Sequence, residues 1–597
     1  MAATSMSAAG VRWDLDDLEP DADTAHRDWD ELVERARAFA ERWHGEVGRS
    51  GPGGLRELLD ELDTLHADTS RVHFYGTARE HTDATDAETS DLATVARDRT
   101  SELENLVLFV ELEWLDLDDE EAESLLASPE LAPYAHKLRV AREEKPYTLT
   151  EGEEQALNAR RPVVSAWDSL HGRQLATLTI DFDAGAGAEP QTIDRLLSYM
   201  YSPDRELRLR ALDALYDGLA TRADVLAAAY DAIVGDRLSV DRLRRIPDPM
   251  LPTNMRNELS GEVVEGMLVA VEEHYPLARR WFRRKREYLG VDPMALADQY
   301  APVGSDRQID WDEATGIVED ALGAFEPRFA EIFRACVERG HVDAEPRPGK
   351  VGGAYCNPVS AAVLPYVLVN FTGRLTDVVS LAHEFGHATQ GVLALERQTY
   401  RTHFLGLAVA EVPSTFAQLL AVERLLEREE DPETRAGVLA GRAEGALAAI
   451  FRQTVLARFE QRAYGLRGEG KALTAERLGE LWREANDRYY GGVLAIPEGY
   501  SVGWSYIPHF IGVRFYTYAY AFAHLVAFSL LVRYRADPAA FVPAYLDFLR
   551  AGGSRSPQEL LEPIGVDLRD PATWTDAFAE FDRVIAEAEA GLDALGS

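Results

Sequence analysis

His383-Glu384-Phe385-Gly386-His387 is the stretch on which the fold of this chain is read. On an α-helix, residues four apart share a face, so His383 and His387 can reach one metal ion. Glu384 then points to the flank of the two ligands, where an activated water would sit. The segment from Thr376 to Thr389 suits a helix, with Thr376 as N-cap, Asp377 in the first turn and Gly391 as a stop. Gly386 costs a helix roughly 1 kcal/mol against Ala, and close approach of another backbone would justify keeping it.

A catalytic metal of this kind needs a third protein ligand and an open position. Glu411 follows within Ala408-Val409-Ala410-Glu411-Val412-Pro413-Ser414-Thr415. A carboxylate in so apolar a run needs a partner, so it reads either as the third ligand or as a buried structural acid. Pro413 places it near a helix start.

Outward from this centre, helical periodicity dominates. Trp29, Leu32, Val33, Ala36, Ala40 and Trp43 fall on one face, and Leu212, Leu215, Tyr216 and Leu219 repeat the pattern after Ser202-Pro203-Asp204, with Pro203 expected at the first helical position. Tyr366-Val367-Leu368-Val369-Asn370-Phe371 is β-prone, and Pro365 before it suggests a strand start or an edge strand that could take up an extended peptide. Gln174 to Asp183 is also β-prone and runs into the Gly-rich stretch 184–190, read as a linker. The expected organisation is an N-terminal helical domain at 1–185 and a catalytic domain at 186–597, mostly α with a small β-sheet beside the site.

Composition limits the rest. With 46% hydrophobic residues in 597, a large core is available. Acidic residues outnumber basic ones 102 to 62, a net charge of −40, which excludes a basic nucleic-acid-binding surface. The imbalance reads as a solvated acidic surface, with salt adaptation or attraction of cationic peptides as alternatives. Lysine occurs only at 137, 145, 285, 350 and 471, so the cations are nearly all Arg. Cys336 and Cys356 are too few for a disulfide framework and suit a reducing, cytoplasmic setting. Met1 to Gly10 lacks a basic and apolar leader pattern, and the run Ala519–Val532 is too short to span a bilayer, so no membrane partner is expected.

The motif with Glu411 at this distance resembles the thimet oligopeptidase family of zinc peptidases, in its oligoendopeptidase F branch. Further matches lie at Trp13-Asp14-Leu15-Asp16-Asp17-Leu18, Gly353-Ala354-Tyr355-Cys356, Pro365-Tyr366-Val367-Leu368, Asn370-Phe371-Thr372-Gly373 and Ile507-Pro508-His509-Phe510, followed by Phe515-Tyr516-Thr517-Tyr518-Ala519-Tyr520. The chain departs from the branch at Gln390 and Gln418, where His and Glu are frequent.

The resemblance implies a large helical two-lobed peptidase with a deep cleft that admits short peptides. It implies one Zn2+ on His383, His387 and Glu411, Glu384 as general base, and His509 with a tyrosine as oxyanion donors, Tyr518 first and Tyr516 second. Tyr355, Tyr366 and Asn370 are expected to bind substrate. An alternative is a zinc carboxypeptidase or dipeptidyl-carboxypeptidase, which needs a cation for the substrate carboxylate; Arg514 is the nearest to His509. A silent helical binding protein is a third reading.

Overall fold

Short polar side chains start the helices of this chain where the sequence breaks its apolar periodicity. Asp21, Asp86, Asp204, Ser260, Asp310 and Thr474 each accept a hydrogen bond from a backbone N–H of the following turn. Each such cap satisfies a donor that the helix itself leaves open. Near residue 204 the helix starts two positions later than expected: Asp204 caps helix Arg205–Ala220, and Pro203 lies outside it. The faces expected to be apolar are buried, Trp29, Leu32, Val33, Ala36 and Trp43 in the first helix and Leu212, Leu215, Tyr216 and Leu219 in the other.

The structure is a computed structural model that describes residues 8–185, 187–305 and 307–596. Met1–Ser7, part of the stretch read for a leader pattern, and Ala186 of the expected linker lie outside the described residues. Among those described, no helix is long and apolar enough to cross a membrane. The run Ala519–Val532 is part of helix Tyr518–Ala536, with Phe522, Leu525, Phe528, Leu530 and Leu531 fully buried.

Spatial contact divides the chain into two units that interleave along the sequence. The first comprises 1–145, 306–428 and 530–568; the second comprises 146–305, 429–529 and 569–597. The stretch 184–190, expected as a linker at residue 185, instead closes a β-hairpin inside the second unit. There Ile180–Asp183 pairs antiparallel with Ala188–Gln191. Asp183 accepts from the N–H groups of Gly185 and Gly187, which shapes the turn.

In the first unit, helices Ala22–Trp43, Gly51–Thr82 and Ala87–Val107 pack on one another. A three-stranded sheet lies beside them, with Tyr366–Leu368 in the middle. It pairs parallel with Val342–Asp343 and antiparallel with Tyr355–Asn357. This corrects the edge-strand expectation: all three residues of Tyr366–Leu368 are buried, as a central strand covered on both faces requires. Pro365 stands just ahead of the strand, where its missing N–H costs no ladder bond.

Two further sequence features are explained here. The Trp13 indole donates to the Val367 carbonyl at 2.9 Å and packs edge-on against Tyr355, Tyr366 and Phe74, so the N-terminal segment is pinned to the sheet. The side chain of Lys350, one of the five lysines, is fully buried against Asp343 at 2.7 Å, with Arg347 bidentate on the same carboxylate. That knot fixes the loop leading to Gly353.

Candidate metal centre

Helices Leu375–Leu395 and Leu407–Arg428 carry the centre, both in the first unit and packed side by side. The first starts at Leu375, one residue before the expected cap. Asp377 secures that start by accepting from the N–H groups of Thr372 (2.6 Å) and Arg374 (3.1 Å). The helix does not stop at Gly391; a Cβ there would lie 2.4 Å from the Cβ of Pro358, so this glycine serves packing. Gly386 does what its place in the motif suggested. A Cβ on it would lie 2.4 Å from the Cα of Ser414 and 2.6 Å from the Pro413 carbonyl oxygen. The absence of a side chain brings the two helices close enough for their ligands to converge.

His383, His387 and Glu411 form a group of potential ligands whose atoms all lie within 4.8 Å of one another. Glu411 Oε2 is 3.4 Å from His383 Nε2 and 3.7 Å from His387 Nε2. Two ligands bonded to a tetrahedral zinc at about 2.0–2.1 Å stand roughly 3.3 Å apart, so this triad fits the ion in both distance and donor type. All three side chains are half-buried, at 20–26% exposure, which leaves one side open.

Neighbouring groups orient the ligands. The Ser414 hydroxyl donates to the Glu411 carbonyl at 3.0 Å and reaches its carboxylate at 3.4 Å. The Gln418 side chain and the Ala410 carbonyl lie within hydrogen-bonding reach of the His383 and His387 rings, respectively. Such contacts fix ring orientation and tautomer. Gln390 is buried and donates to the His403 carbonyl at 3.4 Å, tying the first helix to the turn before the second.

Electrostatically the site is a buried acid–base cluster. Burial pushes His387 down to about 4, helped by the charge of His383. His383 is pulled up despite burial by its hydrogen bond to Glu411, which is itself held below the usual carboxylate range by the two rings. Glu384 is 6% exposed, and burial raises its carboxyl to about 7.

The other expected site residues are placed as follows. The Tyr355 hydroxyl meets His81 Nδ1 at 2.7 Å, on the edge strand. Asn370 donates to the carbonyls of Val351 and Gly353 and so shapes the glycine loop. Tyr366 is fully buried, its hydroxyl donating to the Asp14 carbonyl at 3.0 Å, so it is a core residue and not a substrate contact.

In the second unit, His509 is half-buried. Its ring stacks on Tyr516 with centroids 6.1 Å apart and meets Tyr520 edge-on at 5.8 Å. His509 Nε2 lies 3.4 Å from the Tyr520 hydroxyl. Tyr518, expected first, is elsewhere: it is fully buried, its hydroxyl donating to Asn254 and accepting from Asn257, each at 2.9 Å. Tyr520, which the sequence did not single out, takes its place beside His509. Arg514 is bidentate on Asp241 at 2.7 and 2.9 Å and is committed to that buried carboxylate.

Known proteins resemble this chain along most of its length. Residues 322–580 match the model of peptidase family M3, and residues 113–179 match that of oligopeptidase F. Oligopeptidase PepF of Bacillus subtilis is 25% identical over 97% of this chain and 86% of its own length. Group B oligopeptidase PepB of Streptococcus agalactiae is 28% identical over 94% of both. The crystal structure of oligoendopeptidase-F from Enterococcus faecium superposes with a TM-score of 0.72 at 22% identity, covering 95% of this chain and 99% of the other. The matched segments together span more than half of the sequence and include every member of the metal triad, and the chain belongs to the oligopeptidase F branch of peptidase family M3.

Proposed function

We propose that the protein is a zinc endopeptidase of short peptides, with Glu384 as its general base. The observation that carries this reading is the convergence of His383, His387 and Glu411 on one point with the buried Glu384 next in sequence to the first of them. Zinc bound by the triad would supply Lewis acidity toward a peptide carbonyl and toward water. Glu384 takes the proton of the attacking water, holds it in its buried pocket and returns it to the leaving amine. A carboxyl raised to about 7 by burial suits a group that must both accept and donate near neutral pH.

The family resemblance assigns oxyanion donation to His509 and a tyrosine. Tyr516 and Tyr520 are the tyrosines whose rings touch His509, so we assign the role to them and not to Tyr518. Burial holds His509 below its ordinary range, which keeps the ring neutral with one N–H to donate. Tyr355–Asn357 is one of the two edge strands of the sheet, and an extended peptide pairing there would bind through its backbone with little side-chain preference. The relatives named above are oligopeptidases, which supports short peptides as substrates. Two free cysteines suit a cytoplasmic setting.

Mass spectrometry of a peptide-library digest, with and without chelator, tests the reading. Internal cleavage of short peptides, abolished by chelator and restored by Zn2+, is expected. Release of C-terminal residues or dipeptides alone would favour the carboxypeptidase alternative, and chelator-resistant cleavage would refute the metal.

A further inference from the structure

Between helices Pro432–Leu447 and Gln453–Gly468 of the second unit, residues Ala448–Arg452 form a single π-helical turn. Such widened turns are costly and concentrate at functional sites. The last residue of this one is Arg452. Its guanidinium is densely surrounded, with the phenol rings of Tyr300, Tyr506, Tyr500 and Tyr490 within electrostatic reach, yet its side chain keeps partial access to water.

The Arg452 side chain makes no hydrogen bond and no ion pair to any of the described residues. That is notable in a chain where 102 acidic residues face 62 basic ones. Glu444, a carboxylate that reaches the cluster through Tyr201, is occupied by Lys285 at 2.5 Å and the Trp281 indole at 3.2 Å. The tyrosines differ in the same way. Tyr490 and Tyr500 are buried and donate to Gln299 and Asn486, forming a closed floor. Tyr300 and Tyr506 are half-buried, and their hydroxyls have no hydrogen-bond partner among the described residues. Tyr201 flanks Tyr300 with ring centroids 5.5 Å apart and is 61% exposed.

A cation and two phenol donors left open together, without an internal anion, make a receptor for an external one. A carboxylate matches them: the planar guanidinium binds it in bidentate fashion, and each phenol can add a donor. The positive charge also reaches His509, in the same unit, the ring assigned above to oxyanion donation. We propose that Arg452, with Tyr300 and Tyr506, binds the C-terminal carboxylate of the peptide substrate. The choice of ligand rests on the peptidase reading.

The test is equilibrium binding to the full-length, zinc-loaded Glu384→Gln protein, read by anisotropy of an N-terminally labelled peptide of about eight residues. Three forms are compared: the free acid, the C-terminal amide, and the amide with Glu at the last position. The free acid is expected to bind about tenfold more tightly than the amide, the size of a charge-assisted contact. Arg452→Gln should remove that difference, Arg452→Lys should keep part of it, and the Tyr300→Phe/Tyr506→Phe double variant should reduce it severalfold. Equal binding of acid and amide, or a difference that survives in Arg452→Gln, overturns the proposal. An amide rescued by its terminal Glu moves the ligand to a side-chain carboxylate and overturns the C-terminal assignment. Absence of hydrolysis by the unmutated protein would refute the peptidase reading alone, since binding is measured separately.

Discussion

Gly386 lies so close to Ser414 that a Cβ on the glycine would stand 2.4 Å from the serine Cα. The contact is backbone to backbone and has no flexible side chain to give way. Gly386→Ala must therefore push helices Leu375–Leu395 and Leu407–Arg428 apart, a strain of about 1–3 kcal/mol. Calorimetry should show a lowered Tm, and metal titration a weakened affinity, because Glu411 moves with the second helix. A variant with unchanged metal affinity would show that the close approach does not set the ligand geometry.

Gln418 lies within hydrogen-bonding reach of the ring of His383. A carboxylate acceptor there would raise the basicity of the imidazole, and the family pattern frequently has one. Gln418→Glu is expected to tighten metal binding and Gln418→Ala to weaken it by about 10–100-fold, the usual range for such supporting contacts. Competition with a chromophoric chelator measures both. Equal affinity in all three proteins would remove Gln418 from the account.

Tyr518 and Tyr520 are two residues apart and have opposite fates. Tyr520→Phe removes a hydroxyl from beside His509 and should lower kcat by about 10²-fold, as loss of an oxyanion donor does, with Tm nearly unchanged. Tyr518→Phe deletes a buried hydroxyl shared by Asn254 and Asn257 and should cost about 1–3 kcal/mol of stability while sparing kcat. The reverse pattern would restore Tyr518 as the catalytic residue.

His66 gives the first unit a pH dependence. Burial, with the nearby charge of Arg401, pushes its pKa from 6.5 down to about 4. Above pH 6.5 the ring is neutral in both folded and unfolded chains and costs nothing. As pH falls toward 4, the unfolded chain takes up a proton that the folded one refuses, so stability drops by up to about 3 kcal/mol. Urea unfolding at pH 7 and pH 4.5 should show this loss and show it reduced in His66→Gln. An equal loss in both proteins would assign the pH dependence to other groups.

The pairing of His383 and His387 was legible because its spacing is local, four residues on a helix; the apolar run around Glu411 left that residue open between ligand and structural acid, and the family resemblance implied the ligand. Gly386 was legible for a related reason, as a glycine inside a helix needs a neighbour. What failed depended on distant partners. Tyr366–Leu368 became a central strand because Val342–Asp343, only two residues long, pairs with it, and so short a strand leaves no periodic signal. The order of the tyrosines was obscured by Phe515, whose positive φ of 55° resets the phase just before the helix begins at Tyr518. Arg514 looked available until Asp241, far away in sequence, was found to hold it. Arg452 escaped notice because a π-turn shifts the register without changing composition.

Hydrolysis by the Glu384→Gln protein, assayed on a quenched peptide of about ten residues at confirmed full zinc occupancy, tests the central claim most directly. The account predicts that the zinc content equals that of the unmutated protein while turnover falls by at least about 10²–10⁴-fold, the contribution of a positioned general base. Turnover retained at full occupancy would contradict it.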